Sequence, residues 1–104
     1  MNRKLVVFVP VDALDVVREA LFAAGAGRIG DYTRCSFYTA GTGTFLPGAS
    51  ASPAIGSPGA EERVAEYRLE TVFPADCQAD VVAALRGAHP YEEPAFDVYE
   101  LADP

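Results

Sequence analysis

The sequence predicts an α+β fold: an antiparallel four-stranded sheet with two helices packed on one face. Three observations carry this reading. Residues 62–74, "ERVAEYRLETVFP", alternate apolar and polar with a period of two, which is the signature of a strand. Residues 11–27 and 75–90 repeat their apolar positions with the helical period. The elements follow the order β-α-β-β-α-β, two strand–helix–strand halves that form a ferredoxin-like sandwich.

The first strand is "KLVVFVP", residues 4–10, a continuous β-branched and aromatic run that implies cover on both faces and stops at Pro10. Helix one follows. Leu14, Val17, Leu21 and Ala24 make its buried stripe, Asp12 is its expected N-cap, and Gly25 and Gly27 supply the stop. A second strand is expected from Arg34 to Ala40, with a kink or bulge at Gly41 and Gly43 and a short extension through Phe45 and Leu46. Residues 48–62 are rich in Gly, Pro and Ser and read as a loop, long enough to suggest a functional or a mobile segment.

In the third strand, Ala65, Tyr67, Leu69, Thr71 and Phe73 face the helices, and Glu66, Arg68 and Glu70 face away. These three charges read either as a solvated stripe or as an ion-pair network between subunits. Helix two carries the stripe Cys77, Val81, Ala84, Leu85 and Ala88, ended by Gly87 and Pro90. The last strand, residues 93–102, sets Phe96 and Val98 against Tyr99 and Leu101. The sheet face away from the helices is therefore half apolar, and a homo-oligomer, dimer or trimer, is expected through that face or the sheet edges.

The chain has 104 residues, enough for one compact domain over 1–104, and 50% of them are hydrophobic. A formal net charge of −7 argues against nucleic-acid binding and against an anionic membrane surface. The apolar run near the N-terminus is too short for a signal peptide, and no segment reaches the roughly 18 apolar residues of a membrane span. The expected location is cytoplasmic, with Cys35 and Cys77 both free thiols.

"HPYEEPAFDV", residues 89–98, gathers the one histidine with two acids. Imidazole and carboxylates suit zinc or copper, which makes His89, Glu92 and Glu93 the candidate metal ligands, with Cys35 and Glu70 as groups that could approach from elsewhere. The competing reading is a helix-end to strand-start junction. His89 then bonds local carbonyls, Tyr91 buries its ring with its hydroxyl bonded, and Pro90 and Pro94 enforce extended geometry. "GTGTF" lacks the lysine of a phosphate-binding loop and reads as turn or bulge. Cys35 with His89 is the one conceivable nucleophile–base pair.

Five separated motifs, "GAGRIGDYTRCSF", "GTGTFLPG", "SPAIG", "EERVAEYRLE" and "HPYEEPAFDVYEL", together resemble the YqfO family. This is the small domain inserted in many proteins of the NGG-one-interacting-factor-three superfamily. The resemblance implies a fold like that of CutA and the PII signalling proteins, which assemble through their sheets. CutA-type proteins carry a similar His-Pro-Tyr followed by a glutamate and a proline. The larger superfamily members hold two metal ions in a separate core that this chain has no room for, so hydrolase activity of that core does not transfer. A two-metal-core protein of the same superfamily is the heterologous partner the resemblance implies. The first functional expectation is a non-enzymatic, oligomeric domain that binds a ligand or partner. The second is a divalent-metal-binding protein centred on His89 and Glu92. The third is a small-molecule enzyme with an active site between subunits.

Overall fold

A computed structural model describes residues 1–102. Its strands are β1 (Asn2–Pro10), β2 (Phe37–Phe45), β3 (Glu62–Pro74) and β4 (Phe96–Glu100), and its helices are α1 (Leu14–Ala23) and α2 (Gln78–Ala88). The sheet runs β2-β3-β1-β4, every neighbouring pair antiparallel, which is the ferredoxin-like topology the element order implied.

The register explains the core. Val7 lies opposite Leu69 and Phe96, and Leu5 opposite Thr71 and Val98. These residues therefore share one face, and Leu5, Val7, Val9, Leu69 and Phe73 meet Val17 and Leu21 of α1 and Val81 and Leu85 of α2 in one buried cluster. Truncating a side chain such as Leu85 to Ala would cost about 2–5 kcal/mol, because the close-packed surroundings collapse only in part.

Both helices begin later than their sequence pattern. Each opens with a single 3-10 turn, Val11–Ala13 before α1 and Ala75–Cys77 before α2, directly after a proline in extended geometry. Asp12 lies in that turn and makes no cap; Ala13 occupies the cap position of α1 without a side-chain bond. At its other end α1 closes as expected at Gly25, which takes φ 111°. The Gly25 amide donates to Phe22 O and the Ala26 amide to Leu21 O, both at 3.1 Å, the paired bonds of a Schellman stop. In α2, Gly87 is helical and the stop is at His89, which is extended (φ −75°, ψ 134°) because Pro90 follows.

β2 starts later than Arg34 and does not break at its glycines. Arg34 has a positive φ of 60°, incompatible with a strand, and its guanidinium pairs with Glu19. From Phe37 the ladder to β3 continues through Gly41 and Gly43 to the Phe45–Glu62 pair, because uninterrupted β3 offers a partner at every position. The connection between β2 and β3 is thus residues 46–61. β4 is also shorter than the alternating pattern, since only Phe96–Glu100 has β1 residues opposite it.

Candidate functional site

The segment from His89 to Ala95 wraps around the end of β1 and lies against three other parts of the chain. His89 Nε2 donates to the Phe8 carbonyl at 2.8 Å, and Nδ1 accepts the Tyr91 amide at 3.1 Å. The ring is buried, neutral and bonded at both nitrogens. Burial lowers its pKa from the ordinary 6.5, opposed by the Phe8 carbonyl and by the charge of Glu66.

Tyr91 turns the other way. Its hydroxyl donates to Glu66 Oε2 at 2.8 Å. Glu66 is 7% exposed, an unusual burial for a carboxylate. Desolvation, then the Glu66 bond, pushes the phenol well above its usual range. Gly43 makes the arrangement possible: a Cβ there would sit 1.8 Å from Glu66 Oε1. The bare backbone of β2 is the space that the carboxylate fills.

Glu92 faces the 46–61 connection. Its carboxylate accepts the Ser52 amide at 3.2 and 3.4 Å. The connection closes on its own base through the Gly59 amide and Pro47 O at 2.9 Å. Between connection and turn lies a cavity of about 280 Å³, with Phe45, Pro47, Ala51 and Ile55 on one side and Tyr91, Glu92 and Glu93 on the other. The rings of Phe45 and Tyr91 stand 5.8 Å apart at 57°.

The five candidate metal ligands do not converge. Both His89 nitrogens are engaged in the backbone bonds above, Glu92 holds Ser52, and Glu93 is exposed at the cavity rim. Cys35 lies near the start of β2, where its carbonyl accepts Thr71 Oγ1 at 2.7 Å. Glu70 sits on the open sheet face, bonded to Arg68 at 3.1 Å and Lys4 at 3.3 Å, which hold its carboxyl below the usual range. Among the described residues no three His, Cys, Asp or Glu side chains come together as a ligand set. Cys35 lines a cavity with Lys4, Ser36 and Glu70, away from His89, whose ring bonds are to Phe8 and Tyr91.

Of the stripe Glu66, Arg68 and Glu70, the last two form ion pairs with each other and with Lys4 inside one chain, whereas Glu66 is buried under Tyr91. Sequence reasoning placed Glu66 in a charged stripe and Gly43 at a bulge, left Ser52 unnamed, and missed the contacts these residues make with Tyr91 and Glu92. The β2–β3 register sets Gly41 directly opposite Glu66 and Gly43 opposite Val64, so the contact of Glu66 with Gly43 is a diagonal one that only the folded structure shows.

The family models contain no match to this chain. The "GTP cyclohydrolase 1 type 2 homolog" of Mycobacterium tuberculosis is 58% identical over 101 residues, which is 97% of this chain and 27% of that protein. A solved Bacillus cereus protein "related to NIF3" superposes with a TM-score of 0.84 at 49% identity, over 98% of this chain and 26% of that one. The chain is a YqfO-type, NIF3-related domain. It spans about a quarter of the length of the relatives it matches. The periplasmic divalent cation tolerance protein CutA of Archaeoglobus fulgidus superposes with a TM-score of 0.71 at 13% identity, over 100% of this chain and 87% of that one, a likeness of fold. No helix among the described residues of the YqfO-type domain is long and apolar enough to cross a membrane.

Proposed function

We propose that this chain is a non-enzymatic binding domain that works as a homo-oligomer, joined through the free edge of β2. The observation that carries the reading is the strand itself. Phe37–Phe45, "FYTAGTGTF", has nine residues, is exposed over most of its length, and pairs with β3 on one side only. Folded proteins protect such edges with lysines, prolines or bulges. This strand has no charge, no proline and no break in its ladder. β4 is the sheet's other edge, so pairing β2 of one copy with β4 of the next is a head-to-tail contact, the type that builds a ring when the rotation between copies closes. Phe37 (65% exposed) and Tyr99 (48%) lie beside these two edges and would be covered. A protein carrying the remaining three-quarters of the relatives' length is the second partner this reading implies.

The engagement of both His89 nitrogens supports a structural role for the histidine over a catalytic one. Light scattering tests the assembly. A mass above the 11.0 kDa of one chain, reduced to it by Thr39→Lys with Thr44→Lys, is the expected result. A parent protein that stays monomeric at micromolar concentration overturns the reading.

A divalent-metal site is the second reading, favoured by the shared fold with a divalent cation tolerance protein. Its ligands here would be Glu92 and Glu93 with groups from a neighbouring copy, and His89 only if its backbone bonds open. Calorimetric titration with zinc and with copper, on the parent and on Glu92→Ala with Glu93→Ala, decides it: equal heats in both proteins remove these residues from the account.

A further inference from the structure

The cavity between the 46–61 connection and the Tyr91–Glu93 turn lies wholly within one chain. We propose that it binds a small amphipathic cation, an ammonium or amidinium group on a short apolar body. Its volume of about 280 Å³ is just below the roughly 300 Å³ at which small-molecule sites usually start. The ligand is correspondingly compact.

The lining sets its chemistry from two sides. Phe45, Pro47, Ala51 and Ile55 offer hydrocarbon side chains. Facing them, Glu92 and Glu93 are the charged groups of the cavity, and no Lys, Arg or His lines it. Among the described residues, neither carboxylate has a cation within 4.0 Å, although Glu19 and Glu70 elsewhere are both paired. An anion would be repelled there and a neutral ligand would leave the carboxylates unmatched. Phe45 and Tyr91, whose tilted rings stand 5.8 Å apart, also line the cavity and make its wall aromatic, a surface that attracts positive charge. The two grounds are independent: one is fixed charge, the other an aromatic pair held in place by the Tyr91–Glu66 bond.

Access follows from the same contacts. The Gly59–Pro47 bond holds the base of the connection. The Ser52–Glu92 contact, at 3.2 and 3.4 Å, is long and exposed. A cation that takes up Glu92 would exchange this one weak contact without opening the base.

The inference deepens the binding half of the proposed function and is independent of the assembly half. Light scattering can fail while binding succeeds, and the reverse. The test is an amide-resolved NMR titration with n-butylammonium, using n-butanol and butyrate as neutral and anionic controls at fixed ionic strength. The expected result is saturable shifts at Ala51–Ile55 and Tyr91–Glu93 with butylammonium, weaker shifts with butanol, and none that saturate with butyrate. Glu92→Gln with Glu93→Gln should weaken butylammonium by about three- to tenfold, the effect of two exposed charges, and leave butanol unchanged. Ile55→Trp should abolish both by filling the space; if it disturbs the core amides, Ala54→Leu replaces it. No saturable shift with butylammonium, equal affinity for all three probes, or full affinity in the double glutamine variant would each overturn the proposal.

Discussion

Replacing Tyr91 with Phe removes a single oxygen and leaves the ring in its contacts with Phe45 and His89. What is lost is the O–H donated at 2.8 Å to Glu66 Oε2, in a carboxylate that is 7% exposed. Hydrogen bonds to charged groups contribute about 1.5–3 kcal/mol, and the loss is largest when the partner stays buried and unmatched. At about 4 °C per kcal/mol for a domain of this size, the melting temperature should fall by roughly 6–12 °C. Thermal and urea unfolding of Tyr91→Phe measure this directly. A cycle with Glu66→Gln isolates the pair, because the amide keeps the shape and removes the charge. The Tyr91 change should cost clearly less in the Glu66→Gln background. A Tyr91→Phe protein within about 0.5 kcal/mol of the parent, the range of ordinary surface changes, would refute the reasoning.

Four further outcomes follow from the structure. Gly43→Ala places a Cβ against Glu66 Oε1 and should cost about 1–3 kcal/mol, a cost that shrinks when Glu66→Ala is added. Gly41→Ala meets open space and should change urea stability by less than about 0.5 kcal/mol. Gly27→Ala should destabilise by more than about 1 kcal/mol, since φ is +86° and the new Cβ would lie 2.8 Å from the Phe22 ring; an unchanged urea midpoint would count against the backbone argument. His89 titrates below 6.5 in the folded chain, so the unfolded chain binds the extra proton first as pH falls. Its contribution is complete above pH 6.5 and is lost downward through the window between 6.5 and the lower folded value. Urea midpoints across that window should fall with pH in the parent and flatten in His89→Gln, because no other histidine is present.

The strands, the helices and their order were legible because each is a local periodicity. The alternation over residues 62–74 set β3 to the residue. The stripe Leu14, Val17 and Leu21 is buried in α1, as are Val81 and Leu85 in α2. The junction reading of "HPYEEP" also followed from local rules: a proline after His89 forces the extended cap. Boundaries were less legible. The opening 3-10 turns share the residue types of an α-helix start, and the delay of β2 to Phe37 depends on Arg34 adopting positive φ beside Glu19.

The candidate site was legible in its residues but not in its partners. Sequence adjacency grouped His89, Glu92 and Glu93 as metal ligands, whereas the change from helical to extended backbone at His89 sends their side chains to different neighbours. By itself the sequence determined an α+β sandwich with one core face, because hydrophobic periodicity is written residue by residue along the chain. Only the tertiary structure decided that Glu66 is buried over Gly43 under Tyr91, and that Glu92 meets Ser52 across a cavity. Those contacts join residues tens of positions apart. They are fixed by strand register and by the path of a loop, and neither leaves a periodic trace in the sequence.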